Sequence, residues 1–331
     1  MSQSAYSPDR KPGVRVTVPA SSANLGPGFD VLALTLDLVN VFDVWETDSG
    51  LRIEVIGEGA GVVPTDEKNL FHMTMNTFFT MAGYEPRGLL IRLQNTIPMA
   101  RGLGSSAAVI IGALLAARYI SNHAAIDDDR LLEMAASLEG HGDNVAAAFR
   151  GGCVLAIPED GGRQTVRKII WPHRLGCALF VPELLVSTQS AREVLPETYR
   201  PVEVIFNLSR LALFISALQE NRIEDLILAT QDRLHQPYRA ELVPGLEGII
   251  EAAVTVGAVG ACLSGAGPSI LALYDQDGPG GQRRGDTIAK EMKRVAAGFG
   301  LDGRAMAVPV RTRGADFAPL MTDPSGTPLA R

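Results

Sequence analysis

Three loops built from glycine and small polar residues are the stretches of this chain best suited to chemistry: PASSANLGPGFD at 19–30, PMARGLGSSAA at 98–108 and CLSGAGPSI at 262–270. Glycine admits positive φ and close backbone approach, so any one of them alone reads equally well as a tight turn. The middle loop has a further property, because the apolar run after Gly104 reads as a helix beginning within GLGSSAA. Such a helix aims its unpaired N–H groups and the positive end of its dipole at the loop, which suits a phosphate. The blander use of Ser105 and Ser106 is helix capping, and it does not compete, since a capping hydroxyl already points toward the anion. Neither of two familiar phosphate fingerprints is present. No Lys-Ser/Thr pair follows Gly104, and Ala107 stands where a dinucleotide motif needs its third glycine.

The elements that must hold these loops are read from hydrophobic periodicity. Residues 14–19 alternate as a strand, and 37–45 and 51–56 read as short strands separated by the turn DSG. Helical spacing over 68–83 stops at Gly83, and GLLIRLQNTIP reads as a strand leading to Pro98. A helix over 127–138 opens on acids, a short one over 144–149 closes at Gly151 and Gly152, and CVLAI comes next as a strand. From about Gly176 a second series begins. It comprises the strand CALFVP, a helix near 188–195, amphipathic stretches at 203–219 and 222–232, the helix EGIIEAAVTVGA, two strands around the third loop, and the helix in DTIAKEMKRVAAGFG. A boundary is expected between 165 and 175.

The 331 residues suffice for two domains with a large core. Net charge is -7, and the 30 Lys and Arg are scattered, so no basic face of the kind that grips nucleic acid is expected. The three cysteines show neither ligand spacing nor a disulfide framework, which fits a reducing cytoplasm. The N-terminus lacks an apolar signal core, and the longest apolar stretch, 107–117, falls short of the ~20 residues of a membrane span. A soluble cytoplasmic protein, with no membrane partner and a flexible tail at 1–13, is the expectation.

Taken together and in this order, the three loops resemble the three motifs of the GHMP small-molecule kinases, and the resemblance runs from about Val14 to Ala307. SSANLGPGFD, LEGHGDNVAAAFRGG and STQSAREVLP are similar to segments of the homoserine kinase branch. The resemblance implies an α+β fold in two domains, an N-terminal ATP-binding domain of the ribosomal-protein-S5 type at 14–170 and a ferredoxin-like one at 171–331, with the site between them. It also implies the use of ATP and Mg2+. By the same likeness, the segment Pro98, Met99, Ala100, Arg101, Gly102, Leu103, Gly104, Ser105, Ser106, Ala107 and Ala108 wraps the nucleotide phosphates, and Asn69 lies near the adenine or ribose. Ser105 and Glu139 match the metal-holding residues, a donor set that suits an ion preferring few carboxylates plus phosphate oxygens. Unaided, Glu139 reads as a solvated helix-end charge, and the GHGDN that comes after it departs from the GHPDN of many members at Gly142.

Asp143 and Asn144 match the family's acceptor-side pair, Asp143 positioning the hydroxyl or acting as its base. Unaided, Asp143 reads as the cap of a short helix and His141 as a backbone-bonded neighbour. Arg192 and Arg239 match carboxylate-binding arginines, whose planar fork suits that task better than lysine. Asn24 and Asp30 match residues lining the acceptor pocket, where an acid pairs with a substrate ammonium, and Thr188 shares a helical face with Arg192. The implied reaction is phosphorylation of L-homoserine, and the resemblance leaves room for a homodimer. Two alternatives stay open: a kinase of the same architecture for mevalonate or shikimate, and a scaffold that binds a ligand without catalysis.

Overall fold

In the computed structural model, which describes residues 12–327, Val14, Val16 and Val18 are fully buried and Arg15 between them is exposed. That alternation makes β1 (Val14–Asn24) a strand with one face on the core. Residues 1–11 of the expected tail lie outside the described residues. The chain continues through β2 (Gly28–Glu46), β3 (Gly50–Gly57), α1 (Leu70–Ala82), β4 (Gly88–Asn95), α2 (Ser105–Ser121), α3 (Asp128–Glu139), α4 (Asp143–Arg150), β5 (Cys153–Pro158) and β6 (Gln164–Ile169). A second series holds β7 (Leu175–Pro182), α5 (Thr188–Glu193), α6 (Pro201–Gln219), α7 (Leu226–Ala229), α8 (Gln236–Arg239), α9 (Leu246–Thr255), β8 (Gly260–Leu263), β9 (Ile270–Asp275), α10 (Gln282–Ala297), β10 (Gly303–Val308) and β11 (Asp316–Pro319).

The first sheet runs β11-β1-β2-β4-β3, with β5 added to β2 and β6 to β5; the second runs β10-β7-β9-β8. β2 has 19 residues and pairs with both β4 and β5. The register of β1 against β2 shifts between Pro19 and Ala20, which bends the pair just before the first loop. α2 is apolar nearly all round and therefore lies inside, packed on α1, β1, α3 and α4. Gly112 in its middle forfeits about 1 kcal/mol of helix propensity, but a Cβ there would come within 2.3 Å of the Phe42 ring.

CALFVP is a continuous apolar run because both faces of β7 are covered. Cys177, Leu179 and Val181 join the main core. Ala178 and Phe180 face a second core with Ile249 and Ala253 of α9 and Ile288 and Met292 of α10.

Three sequence expectations need correction. Residues 222–232 do not form one helix: α7 stops at Ala229, because Asp232 accepts the N–H groups of Leu234, His235 and Gln236 and turns the chain there. β6 and β10 were not foreseen, since their exposed polar residues blur the alternation. The segment 171–331 is not one unit either, because β11 returns to the first sheet, where Val14 to Thr17 pair with Pro319 to Asp316. α6 meets the length and composition of a membrane span, but Asn207, Ser209 and Arg210 interrupt its apolar pattern and Asn207, Phe214, Ala217 and Leu218 are buried in the fold.

Candidate active site

Backbone hydrogen bonds stitch the three glycine loops to one another. Ser21 N–H donates to Leu103 O at 3.2 Å and Gly265 N–H to Ala23 O at 3.0 Å. The Asn24 amide donates to Gly265 O at 2.9 Å, and the Ser264 hydroxyl lies 2.7 Å from both Gly102 O and the Ser22 hydroxyl. Gly102 has φ 70°, and a Cβ on it would fall 2.1 Å from Ser264 O, so the contact between the second and third loops requires glycine.

Between these loops and α5 lies a cavity of about 300 Å³. Residues 100–106 line it, whereas Pro98, Ala107 and Ala108 are buried and Met99 lies outside the lining. Gly104, in the left-handed region, is the N-cap of α2 and no side chain caps the helix, so Ser105 and Ser106 are not the caps that their residue type suggests. The first-turn amides are left to an anion in the cavity. Arg101 also lines the cavity, with its guanidinium committed to Met99 O, Pro182 O and Glu183 O, which fastens the loop to the end of β7.

Glu139, the last residue of α3, reaches the same helix end. Its Oε2 accepts from the Ser106 hydroxyl at 2.7 Å. The serine bonded to the carboxylate is Ser106, while Ser105, one step and about 100° back along the helix, lines the same cavity. Glu139 is largely sheltered, and burial raises its pKa above the ordinary range against the lowering effects of Ser106 and His141.

On the other side of the cavity Asp143 opens α4, 1% exposed. Its Oδ1 accepts from the Asn144 N–H and lies 2.6 Å from His141 Nδ1. Burial disfavours the charged imidazole of His141, but the Asp143 hydrogen bond and charge prevail and hold its pKa above the usual value. The Asn144 side chain accepts from the Ser21 hydroxyl at 2.7 Å.

The cavity also holds an ion pair. Arg192 on α5 meets both oxygens of Asp30 at 3.0 Å. Thr188, one turn earlier on α5, lines the same cavity. Asp30 sits at φ 57°, its N–H held at 3.1 Å by the Asn24 side chain. Arg239 is 2% exposed, and its guanidinium donates to Ala191 O and Gly265 O and meets His235 Nδ1 at 3.2 Å. His235 meets Gly26 O through Nε2 at 2.8 Å, which fixes the neutral ring as a donor there and as an acceptor toward Arg239. Burial keeps His235 neutral, and burial also lowers the Arg239 pKa. Both guanidiniums lie over the Phe29 ring, at 5.9 and 5.2 Å from its centroid.

Neither Phe29 nor His235 stands out in the sequence. An aromatic after Pro-Gly and a lone histidine in the largely polar stretch QDRLHQPYR carry no spacing signal. Asn69 is not brought to this cavity. It is the N-cap of α1, accepting from Phe71 N–H and donating to Pro64 O, so its amide is spent on the turn. Asp30, His141 and Asp143 bring ligand-capable atoms within 4.8 Å of one another, but Arg192 holds the first, and the other two hold each other.

Two segments of the chain match described families: residues 69–152 match the GHMP kinases N terminal domain and 214–284 the GHMP kinases C terminal domain. The homoserine kinase of Caldicellulosiruptor bescii is 43% identical over 264 residues, 80% of this chain and 85% of that protein. That of Streptomyces coelicolor is 41% identical over 315 residues, 95% of this chain and 97% of that protein. The chain belongs to the homoserine kinases of the GHMP family. The crystal structure of homoserine kinase from Cytophaga hutchinsonii shares its two-domain fold, with TM-score 0.81 at 27% identity over 95% of this chain and 99% of that one. A mevalonate kinase structure at 16% identity and TM-score 0.64 shares the fold alone. The cavity of this homoserine kinase family member combines an uncapped helix end with an acid and two arginines brought in from distant parts of the chain.

Proposed function

We propose that the chain transfers the γ-phosphoryl group of ATP to the side-chain hydroxyl of L-homoserine, giving O-phospho-L-homoserine and ADP on the route to threonine. The observation that carries this reading is the Asp30–Arg192 pair with Arg239 in the same cavity as the α2 N-terminus. The acceptor is a zwitterion. Its carboxylate takes the arginine fork and its ammonium takes Asp30, so one partly exposed ion pair is exchanged for two contacts with substrate. Mevalonate and shikimate bring no ammonium for Asp30.

The remaining parts take their roles from position. The amides of Gly102 to Ser106 cradle the polyphosphate. The all-oxygen pair of Glu139 and Ser106 fits Mg2+, which neutralises phosphate charge when bound. Two donors already engage Asp143 Oδ1, leaving Oδ2 to accept from the homoserine hydroxyl and aim it. Phosphoryl transfer through a loose transition state asks mainly for such alignment and charge neutralisation. A homodimer is part of the reading, and Val202, Ile205 and Leu208, exposed along α6, support it.

An ADP-release assay comparing homoserine, mevalonate and shikimate tests the reading. ATP-dependent turnover with homoserine is expected. Turnover of either rival without turnover of homoserine rejects it, and nucleotide binding without turnover of any alcohol favours a non-catalytic scaffold.

A further inference from the structure

A second cavity, of about 640 Å³, lies where the two sheets join, at the opposite end of β7 from Pro182 and the phosphate loop. Seven strand steps put those two ends roughly 20 Å apart. Its walls come from both sheets: Lys168 and Ile169 of β6, Tyr274 and Gln276 at the end of β9, Asp286 of α10, and Val308 to Val310 where the chain returns toward β11. The volume is that of a small-molecule site.

Three features give this space a chemistry. Tyr274 is 3% exposed and its ring lies against two glycines, Gly176 and Gly285, where a Cβ would approach the ring carbon Cζ to 2.6 Å. Tyr274 lines the cavity, and its hydroxyl makes no hydrogen bond to the described residues, which leaves it free for a ligand. Burial, with the charge of Asp286, holds the phenol proton on, so the group is an O–H donor. Second, two opposite charges face the space from different elements, Lys168 from β6 of the first sheet and Asp286 from α10. Lys168 has only a 3.4 Å contact with Thr312 O, and Asp286 only a 3.4 Å contact from Ala307 N–H, so both retain most of their capacity. Third, the body of the cavity is apolar. Trp171, fixed by its indole N–H on Leu175 O at 2.8 Å, lines it together with Ile169 and Val310.

We propose that this cavity is a second small-molecule site, which takes an α-amino acid with a large apolar side chain. The carboxylate sits on Lys168 and the Tyr274 hydroxyl, the ammonium on Asp286, and the side chain against Trp171, Ile169 and Val310. Two separated charges of opposite sign match a zwitterion, and the volume leaves room for an aromatic ring that homoserine lacks. Because Lys168 belongs to the first sheet and Asp286 to α10, which packs on the second, the ligand ties the two halves of the fold together.

The chain supplies its own probe, since its only other tryptophan, Trp45, is 2% exposed among Leu90 and Leu320. The full-length protein is titrated with L-phenylalanine and L-leucine, following tryptophan emission and Tm. Phenethylamine, 3-phenylpropionate and L-serine serve as ligands lacking one recognised group. Saturable emission change and a rise in Tm are expected with the two amino acids, and weaker responses with the three controls. Lys168→Met and Asp286→Asn, both at exposed positions, should each weaken binding about tenfold, in line with loss of a charged hydrogen bond. Tyr274→Phe should weaken it several-fold, and Trp171→Phe should abolish the signal while the Tm rise persists. Asp30→Asn should leave the affinity unchanged, which makes the outcome independent of the kinase reading. The proposal is overturned if neither amino acid alters emission or Tm, if Lys168→Met and Asp286→Asn bind as the wild type does, or if Asp30→Asn is the substitution that abolishes binding.

Discussion

Arg192 and Asp30 show how a single pair reads differently in sequence and in space. Each residue matched an acceptor role, but only the fold shows that they hold one another when no substrate does. With the Arg192 side chain 39% exposed and that of Asp30 35%, the pair stabilises the fold by under about 1 kcal/mol, so the protein tolerates its exchange for substrate. Arg192→Ala should therefore fold normally and raise the KM for homoserine about 10- to 100-fold with kcat largely kept, a charged hydrogen bond being worth about 1.5–3 kcal/mol. A rise confined to the KM for ATP would place Arg192 on the wrong side of the site. Glu139 gives a pH prediction. Burial raises its pKa, so on acidification it takes up a proton before an ordinary glutamate does, and that proton competes with Mg2+. Apparent Mg2+ affinity should climb as pH rises through the Glu139 titration and level off above it. Glu139→Gln should bind Mg2+ more weakly and flatten that acid limb. Metal titrations of the kinase assay at several pH values read both effects.

The N-terminus of α2 was the most legible element, because a glycine-rich loop running into an apolar stretch can do little else. Sequence could not say which serine bonds Glu139, since that depends on where Gly104 turns the chain into the helix. Nor could it say that Asn69 would be consumed as a cap. Gly102→Ala tests the loop as a unit. Positive φ alone costs about 1–2 kcal/mol, and the added Cβ meets the Ser264 carbonyl at 2.1 Å. Lower Tm and weaker nucleotide binding should appear together, because one displacement separates the second and third loops. A normal Tm with normal nucleotide affinity would show that the loops pack differently.

At the scale of the whole molecule the division of the chain is not linear. β11 closes the edge of the first sheet beside β1, Trp45 donates its indole N–H to Thr322 O, and Leu320 packs with Trp45 and Leu90. Ending the chain after Pro309 should lower Tm and shift Trp45 emission to the red, although the removed residues line neither the phosphate loop nor the acceptor pocket. Unchanged emission would mean that Trp45 is shielded by other residues. The three cysteines give a simpler reading. All are buried, and burial pushes Cys153 and Cys262 up to about 12 and Cys177 higher still. A thiol reagent should therefore find no reactive cysteine in the native protein and three after denaturation.

The sequence by itself determined the order of most strands and helices and the three loops, because those signals are local, carried by periodicity and glycine placement. Asp30, Arg192 and Arg239 came into view only through the family resemblance. Tertiary structure alone decided that Ser106 faces Glu139, that Phe29 and His235 brace the arginines, and that β11 crosses back to the first sheet. Apart from the His235–Arg239 contact, which spans four positions, these join residues dozens to hundreds of positions apart, and such a contact is selected by packing and by the need to satisfy buried polar groups, neither of which leaves a period in the chain.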